Sequence, residues 1–278
     1  MSSGRAIDHV GIATRNLDAL AAQYEALGFT LTPRAAHPDH MGTSNRLIQL
    51  GGLDGGPGKG ANFIELIEVD RPETMQPHKA GFMGFGQFNH SFLQKRQGMS
   101  LVVFRTDDAA ADLARWRSKG LQTYDQFNFE RQAKLPDGSE ETVRFEIGLV
   151  TDPAMPDILF FVCDNKAEQH FWKPEYQQHA NGAEEIEAVV LCSAQPAQHA
   201  DFLSRLFDGD VHEGEGKISV QFGEYDIVVA TPAELNWTGW THNPGPEAMA
   251  VGLEIAAGET ETEIIKPQDA GGVFIRFT

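Results

Sequence analysis

The chain repeats one order of secondary structure, a strand, then a helix, then three strands, and this repeat limits the fold more than any other feature. In the first unit a short apolar run, Ile7–Ala13, leads into a helix that Asn16 caps and that extends from Leu17 to Leu27. The apolar residues of this helix recur at helical spacing, and Gly28 follows where the helix is expected to stop. Three apolar runs then predict strands at 29–33, 45–50 and 62–69.

The same order returns twice and then begins a third time. The second unit has a helix that Asp107 or Asp108 caps and that Gly120 stops. Its strands are predicted at 100–105, 124–130, 142–149 and 158–163. The third unit has a helix at 197–207 and strands at 185–193, 217–222 and 225–230. A fourth unit is only partial, because the 31 residues from 248 to 278, with strands at 249–256 and 273–277, are too few for a whole unit.

Paired units of this kind predict an α+β protein of βαβββ repeats in two tandem domains. The first domain comprises residues 1–165 and two complete units. Residues 166–183 form a connecting strap, and its aromatic tract at 171–176 is expected to pack on the first domain. Residues 184–278 form a second, shortened domain. A chain of 278 residues is long enough for two such domains.

The composition narrows the classes of partner. Lys and Arg number 22 against 40 Asp and Glu, a formal net charge of −18, which disfavours nucleic acid and anionic membrane surfaces. Two cysteines cannot form a disulfide framework or a cysteine zinc cluster. The absence of a long apolar run predicts no secretory signal and no spanning helix, so a cytoplasmic protein is expected.

Three segments together resemble the vicinal oxygen chelate superfamily, which contains glyoxalase I, extradiol dioxygenases, methylmalonyl-CoA epimerase and resistance proteins. They are Ile7–Ala13, residues 24–29 at the end of the first helix, and residues 63–68. The run from His37 to Ile48 is similar to the glyoxalase-like domain branch of that superfamily. The resemblance implies that paired units form U-shaped mixed sheets around a site for a small molecule. It also implies a homodimer, since the superfamily exchanges domains within dimers.

By position, the resemblance implies that His9 is a first-strand ligand of a divalent metal and Glu65 a last-strand ligand. It also implies that these two residues are the catalytic residues. Imidazole and carboxylate suit zinc, iron, manganese or nickel. Strand alternation places Phe63, Glu65 and Ile67 on one face, and a carboxylate on a buried face needs a partner. That partner is either a metal or His9 itself.

The second unit departs from the ligand pattern of the superfamily. Matching Asn16 to Asp107 places Ser100 opposite His9, and an aromatic residue near Phe160 replaces the last-strand carboxylate. A metal would need a third ligand from the partner subunit or from a loop histidine. The candidates in this chain are His90, His37 and His40. A bound divalent metal and the absence of any cofactor therefore remain equal alternatives.

The third unit has fewer candidate ligand residues than the second. Glu187 or Ala188 falls opposite His9, and Val228 falls opposite Glu65. The C-terminal half is therefore expected to be scaffold or a dimer surface.

Four further residues are candidates for binding substrate. Asn45 and Gln49 share a face of the third strand and are expected to hydrogen-bond a ligand. Arg46 pairs with a substrate carboxylate or phosphate, or else with a surface acid. Ser100 lies opposite His9 by the alignment above.

The long connector at 71–97, rich in phenylalanine and glycine, is either a loop packed on the domain edge or a mobile lid or dimer arm.

Two functions follow from these observations. The first is a glyoxalase-like enzyme of the lyase, isomerase or dioxygenase type, acting on a small oxygenated organic compound in the N-terminal concave sheet. The second is a metal-free protein that binds or sequesters a small molecule, as resistance proteins of this superfamily do.

Overall fold

The computed structural model describes residues 6–51, 61–134, 140–258 and 263–278, and it contains two mixed β-sheets. The first sheet and its helices comprise β1 (Ile7–Thr14), α1 (Leu17–Ala26), β2 (Ala35–Ala36), β3 (Thr43–Leu50), β4 (Asn62–Val69), α2 (Phe85–Lys95), β5 (Gly98–Arg105), α3 (Ala109–Ser118), β6 (Gln122–Thr123), β7 (Phe127–Lys134), β8 (Glu140–Thr151) and β9 (Leu159–Asn165). The second comprises β10 (Ala183–Cys192), α4 (Ala200–Phe207), β11 (Asp210–Gly214), β12 (Lys217–Phe222), β13 (Tyr225–Ala230), β14 (Met249–Ala257), β15 (Ile264–Ile265) and β16 (Phe274–Phe277).

The strand order of the first sheet relates its two units by an approximate two-fold axis. The order is β2-β3-β4-β1-β5-β9-β8-β6, with β7 paired to β8. The first strand of each unit is parallel to the last strand of the same unit, and β1 and β5 meet antiparallel at the centre. His9 lies opposite Val103 and Gly11 opposite Leu101, so the axis exchanges His9 with Leu101 and Gly11 with Val103. The predicted α+β class and the tandem βαβββ pattern are confirmed.

The second sheet repeats this plan with a shortened last unit. Its order is β11-β12-β13-β10-β14-β16-β15, and β10 is parallel to β13 and antiparallel to β14. In the described part of the fourth unit no helix lies between β14 and β16, so this unit is shortened, as its length predicted.

One hydrophobic core joins the two sheets and includes the buried faces of α1, α3 and α4. The ring of Phe104 on β5 contacts the rings of Phe207 on α4 and Phe222 on β12 at 4.6 and 5.6 Å. The indole of Trp116 on α3 donates a hydrogen bond to the carbonyl of Leu206. Division into two domains at 165 and 184 stays a prediction, because this core belongs to both halves.

The connector at 71–97 packs on the first sheet, the first of its two expected roles, but part of it is a helix and not a loop. Its phenylalanines Phe85, Phe88 and Phe92 follow one another at intervals of three and four residues, which places them on one buried face of α2. Gly84 and Gly86 suggested a loop, but they let the helix approach other backbone closely: a Cβ on Gly86 would lie 1.9 Å from the carbonyl oxygen of Met41.

The predicted strand at 29–33 does not form, and β2 covers only Ala35–Ala36. The backbone N–H of Thr30 instead donates to Nδ1 of His179, a residue of the strap. In the described part of the chain, no helix has the length and apolar character needed to cross a membrane. The homodimer stays a prediction.

Candidate functional site

A cavity of about 70 Å³ lies on the face of the first sheet that is opposite the shared core. Side chains of both units, of the loop at 36–41, of α2 and of the strap surround it. Most of its wall is apolar, and seven of the lining residues are aromatic: Phe63, Phe85, Phe129, Phe145, Phe161, Phe171 and Trp172. An apolar cavity with a few converging polar groups is typical of a small-molecule site.

Glu65 is a buried carboxylate of the cavity, with a residue exposure of 5%. Asn45 Nδ2 donates to its Oε1 at 2.5 Å, and Nε2 of His37 lies 3.3 Å from the same oxygen. Burial alone would raise the pKa of Glu65. The hydrogen bonds from His37 and Asn45 and the charges of His37 and His9 outweigh burial and hold that pKa below its usual value. Glu65 is therefore ionised at neutral pH.

His9 faces the other oxygen of this carboxylate. Its Nε2 lies 3.8 Å from Glu65 Oε2, which is longer than a hydrogen bond. Its Nδ1 donates to Asp8 Oδ1 at 2.5 Å. The imidazole stacks on Phe63 with ring centroids 4.3 Å apart and meets the edge of Phe161. These contacts fix the ring so that Nε2 faces Glu65.

A break in strand register brings Asp8 and His9 to the same cavity. Consecutive residues of a regular strand point to opposite faces. The pairing of β1 with β5 shifts between Ile7 and His9, and such irregularities turn a side chain out of the alternation. Strict alternation hides Asp8, and for this reason sequence reasoning missed it.

A third acidic residue, Glu168, borders the cavity on the side of Asp8. Nε of Arg105 lies 3.8 Å from Asp8 Oδ2 and 3.6 Å from Glu168 Oε1. Burial and the negative charges of Asp8, Asp107 and Asp164 raise the pKa of Glu168 despite the opposing charge of Arg105. Glu168 lies in the strap, where no sequence pattern marked it.

Cys163 also lines the cavity. Burial is the main cause that raises the pKa of its thiol, and the negative charges of nearby carboxylates raise that pKa further. The thiol is therefore protonated at neutral pH and a weak nucleophile.

The residues that replace the second pair of ligands are Leu101 and Phe161, not Ser100 and Phe160. The helix α3 is capped by Asp108, whose side chain accepts from Ala111 N, so the offset between units is 92 and not 91. A shift of one residue moves a strand side chain to the other face. Leu101 and Phe161 lie in the cluster around the cavity, whereas Phe160 is buried in the shared core.

Ser100 is not among the residues that line the cavity, and its hydroxyl donates to Asn89 Oδ1 of α2 at 2.8 Å.

The side chains present do not fit the predicted metal centre. Two of the four ligand positions of the superfamily hold Leu101 and Phe161, which cannot coordinate a cation. No group of three or more His, Cys, Asp or Glu side chains within the described ranges is arranged to hold a metal ion. Metal binding by His9 and Glu65 therefore stays a prediction.

Of the three loop histidines proposed as further ligands, only His37 reaches Glu65. His40 packs against the ring of Phe127, and His90 lies beside Gln94 on α2.

The predicted substrate-binding residues separate into three places. Asn45 lines the cavity. Gln49 holds the strap, because its Nε2 donates to the carbonyl of Phe171 at 2.8 Å and its Oε1 accepts from Lys173 N at 3.0 Å. Arg46 points away from the cavity, where it donates to Thr32 O and to Glu25 of α1. Of its two predicted roles, the structure supports the surface ion pair.

The second sheet has apolar side chains where the first has its polar pair. The pairing of β10 with β13 sets Ala188 at the place of His9 and Val228 at the place of Glu65. A Cβ on Gly252 of β14 would lie 2.2 Å from the ring of Phe274, so that ring covers this part of the strand. The candidate site thus belongs to the first sheet.

Comparisons with known proteins agree with this architecture. The family model described as "Glyoxalase-like domain" matches residues 7–207. A crystal structure of a hypothetical protein from Staphylococcus aureus superposes with a TM-score of 0.74 at 16% identity, covering 99% of each chain. A fusion of a xylose isomerase-like TIM barrel and a 4-hydroxyphenylpyruvate dioxygenase gives a TM-score of 0.51 at 14% identity, covering 91% of this chain and 37% of that one.

A methylmalonyl-CoA epimerase in complex with methylmalonyl-CoA gives a TM-score of 0.42 at 24% identity, covering 60% of this chain and 98% of that one. A search of curated proteins gave no match.

Proposed function

The chain belongs to the glyoxalase-like domain family of the vicinal oxygen chelate superfamily, and we propose that it is an isomerase or lyase that moves a proton next to a carbonyl group. The substrate is a small oxygenated organic compound bound in the cavity of the first sheet. The observation that carries this proposal is the position of Glu65, a buried and ionised carboxylate with one oxygen fixed and the other facing His9.

The two oxygens of Glu65 have different environments, which suits a base. Oε1 accepts from Asn45 and lies beside His37, so the carboxylate cannot rotate freely. Oε2 faces the cavity and takes the proton from the carbon. A base fixed within reach of a bound carbon acid needs little rearrangement in the transition state.

His9 provides the complementary acid. In its doubly protonated form the imidazole donates Nδ1–H to Asp8 and presents Nε2–H to the cavity beside Glu65. Transfer of the Nε2 proton to the carbonyl oxygen, as Glu65 removes the carbon proton, gives an enol and a neutral imidazole. Asp8 keeps the remaining Nδ1 proton in place, as an orienting carboxylate does in other acid–base sites.

The residues present favour this chemistry over the dioxygenase type. A dioxygenase of this superfamily depends on its metal, and Leu101 and Phe161 occupy two of the ligand positions.

The aromatic walls support a second candidate, a protein that binds a small molecule without transforming it. Leu101 and Phe161 extend the apolar surface where chemistry would need ligands. Such a surface retains a ligand by burial alone.

Exchange of carbon-bound protons with solvent deuterium tests the proposal without knowledge of the complete reaction. Hydroxyacetone, butanone and acetophenone would each be incubated with the protein in D₂O, and loss of the α-proton signal followed by NMR. The wild type is expected to accelerate exchange of at least one compound, and Glu65→Gln to reduce that rate by about a hundredfold or more.

Glu68→Gln is the matched control, since Glu68 pairs with Arg34 outside the cavity. An undiminished rate in Glu65→Gln would refute the role of this carboxylate. Binding without exchange of any compound would favour the binding protein.

A further inference from the structure

Apart from two histidines, the charged side chains that line the cavity in the structure are all acidic. Three of its lining residues are acids, Asp8, Glu65 and Glu168, and its basic groups are His9 and His37. None of the lining residues that the structure describes is Lys or Arg.

The guanidinium of Arg105 already faces two carboxylates and a carbonyl oxygen. Nε of Arg105 lies within 4 Å of a carboxylate oxygen of Asp8 and of Glu168. Its Nη2 donates to the carbonyl of Ala61. Arg46, the other candidate cation, is held by Glu25 on the far side of the sheet. Among the side chains that the structure describes, a carboxylate or phosphate entering the cavity would therefore meet three acids and no Lys or Arg, which is unfavourable in a buried site.

One hydrogen-bond donor in the cavity wall has no acceptor. Trp172 is only 6% exposed, and its Nε1 is buried without a hydrogen-bond partner among the described residues. The indoles of two other buried tryptophans are satisfied: Trp116 donates to Leu206 O at 2.9 Å and Trp240 to His242 O at 2.7 Å. A buried N–H without an acceptor destabilises a protein and usually has a functional or solvent explanation.

The position of Trp172 connects this donor to the site. Its ring meets the edge of Phe63, and Phe63 stacks on His9. Gln49 fixes the strap on either side of it by bonds to Phe171 and Lys173. The indole is thus a rigid part of the wall and not a mobile side chain.

We propose that the cavity selects an uncharged organic compound that carries a hydrogen-bond acceptor for the indole N–H of Trp172, and that it rejects carboxylates and phosphates of the same shape. This inference rests on the proposed function only in placing the substrate of that reaction in this cavity. It deepens that function by assigning the charge of the substrate and a residue that determines specificity.

Three probes of nearly identical shape separate charge from size: benzamide is uncharged, benzoate is an anion and benzamidine is a cation at neutral pH. Calorimetric titration of the wild type with each probe is expected to show the tightest binding for benzamide, with benzoate at least about tenfold weaker. Tightest binding of benzoate or benzamidine would overturn the inference. Failure of all three to bind at millimolar concentration would overturn it as well.

Trp172→Phe tests the donor while keeping an aromatic ring in the wall. The affinity for benzamide is expected to fall about two- to tenfold, which is the range for one hydrogen bond. Trp237→Phe is the matched control, because Trp237 is 48% exposed and lies in the other half of the chain. Unchanged affinity in a folded Trp172→Phe protein would refute the role of the indole. If this variant does not fold, the comparison of the three probes on the wild type still decides the charge preference.

The outcomes distinguish this inference from the proposed function. Glu65→Gln should lose proton exchange and still bind benzamide, because an amide remains beside Asn45. Exchange catalysed only on anionic 2-oxo acids would uphold the reaction and overturn the inference. Preferential binding of benzamide without exchange of any carbonyl compound would uphold the inference and refute the reaction.

Discussion

Asp8 and His9 are consecutive residues of one strand, yet their side chains meet, with His9 Nδ1 donating to Asp8 Oδ1 at 2.5 Å. The register shift in the pairing of β1 with β5 makes this contact possible. Both side chains are more than nine-tenths buried, so the hydrogen bond is shielded from solvent. The contact leaves Nε2 of His9 as the nitrogen that faces Glu65.

Asp8→Asn should loosen the orientation of the His9 ring without removing the ring. An amide oxygen accepts the bond from Nδ1–H more weakly than a carboxylate does, so we expect the exchange rate to fall by about ten- to a hundredfold, the range for a supporting residue. Nitrogen NMR of His9 should show a changed tautomer population. Asp18→Asn is a suitable control because Asp18 is exposed on α1. An unchanged His9 spectrum and rate would show that Asp8 has no orienting role.

The lowered pKa of Glu65 predicts a loss of stability in acid. The folded protein holds the ionised form more tightly than the unfolded chain, so the stabilisation is present above the usual Glu pKa and is lost as pH falls through the folded value. We expect Glu65→Gln to lower the free energy of unfolding at pH 7 by about 1–3 kcal/mol.

Below about pH 4 the difference between the variant and the wild type should shrink. Denaturant melts at a series of pH values measure this difference. A difference that stays constant from pH 7 to pH 3 would contradict the proposed ionisation.

The two-fold relation within the first sheet predicts how a metal site can be rebuilt. Leu101→His with Phe161→Glu would place imidazole and carboxylate at the positions equivalent to His9 and Glu65. We expect the double variant to bind about one zinc or nickel ion per chain, and the wild type to bind less. Elemental analysis after dialysis measures the metal content.

Phe161→Glu alone is the control, because it adds a carboxylate without the fourth ligand. Stoichiometric metal in the wild type that disappears in His9→Ala and Glu65→Ala would establish the metal site expected from the sequence. That result would also contradict the reasoning from Leu101 and Phe161.

The shared core predicts that the two halves unfold together. Phe104 contacts Phe207 and Phe222 of the other half, so its removal should weaken both sheets. We expect one calorimetric transition in the wild type and a loss of about 3–5 kcal/mol in Phe104→Ala, still in one transition. Two separate transitions would favour the independent domains predicted from the sequence.

The periodic parts of the sequence predicted the fold well, and the local geometry of the site was not predictable in the same way. The strands 62–69, 217–222 and 225–230 have the predicted bounds, because their apolar runs end at clear turns. The helix α2 was missed because Gly84 and Gly86 obscured the spacing of its phenylalanines.

At the site, strand alternation predicted that Glu65 is buried and has a partner, but the hydrogen bond that it accepts from Asn45 was not predicted. Asp8 was hidden by a register shift, and Ser100 was chosen because the cap residue is Asp108 and not Asp107. The unsatisfied indole of Trp172 depends on contacts between distant segments, which no local pattern records.

At equivalent positions the three units carry His9 with Glu65, Leu101 with Phe161, and Ala188 with Val228. The same backbone therefore accepts a polar pair, a large apolar pair and a small apolar pair. The strand order of each sheet does not require one kind of side chain at these two positions. They are thus the places where a designer can change the chemistry of a repeat without rebuilding its sheet.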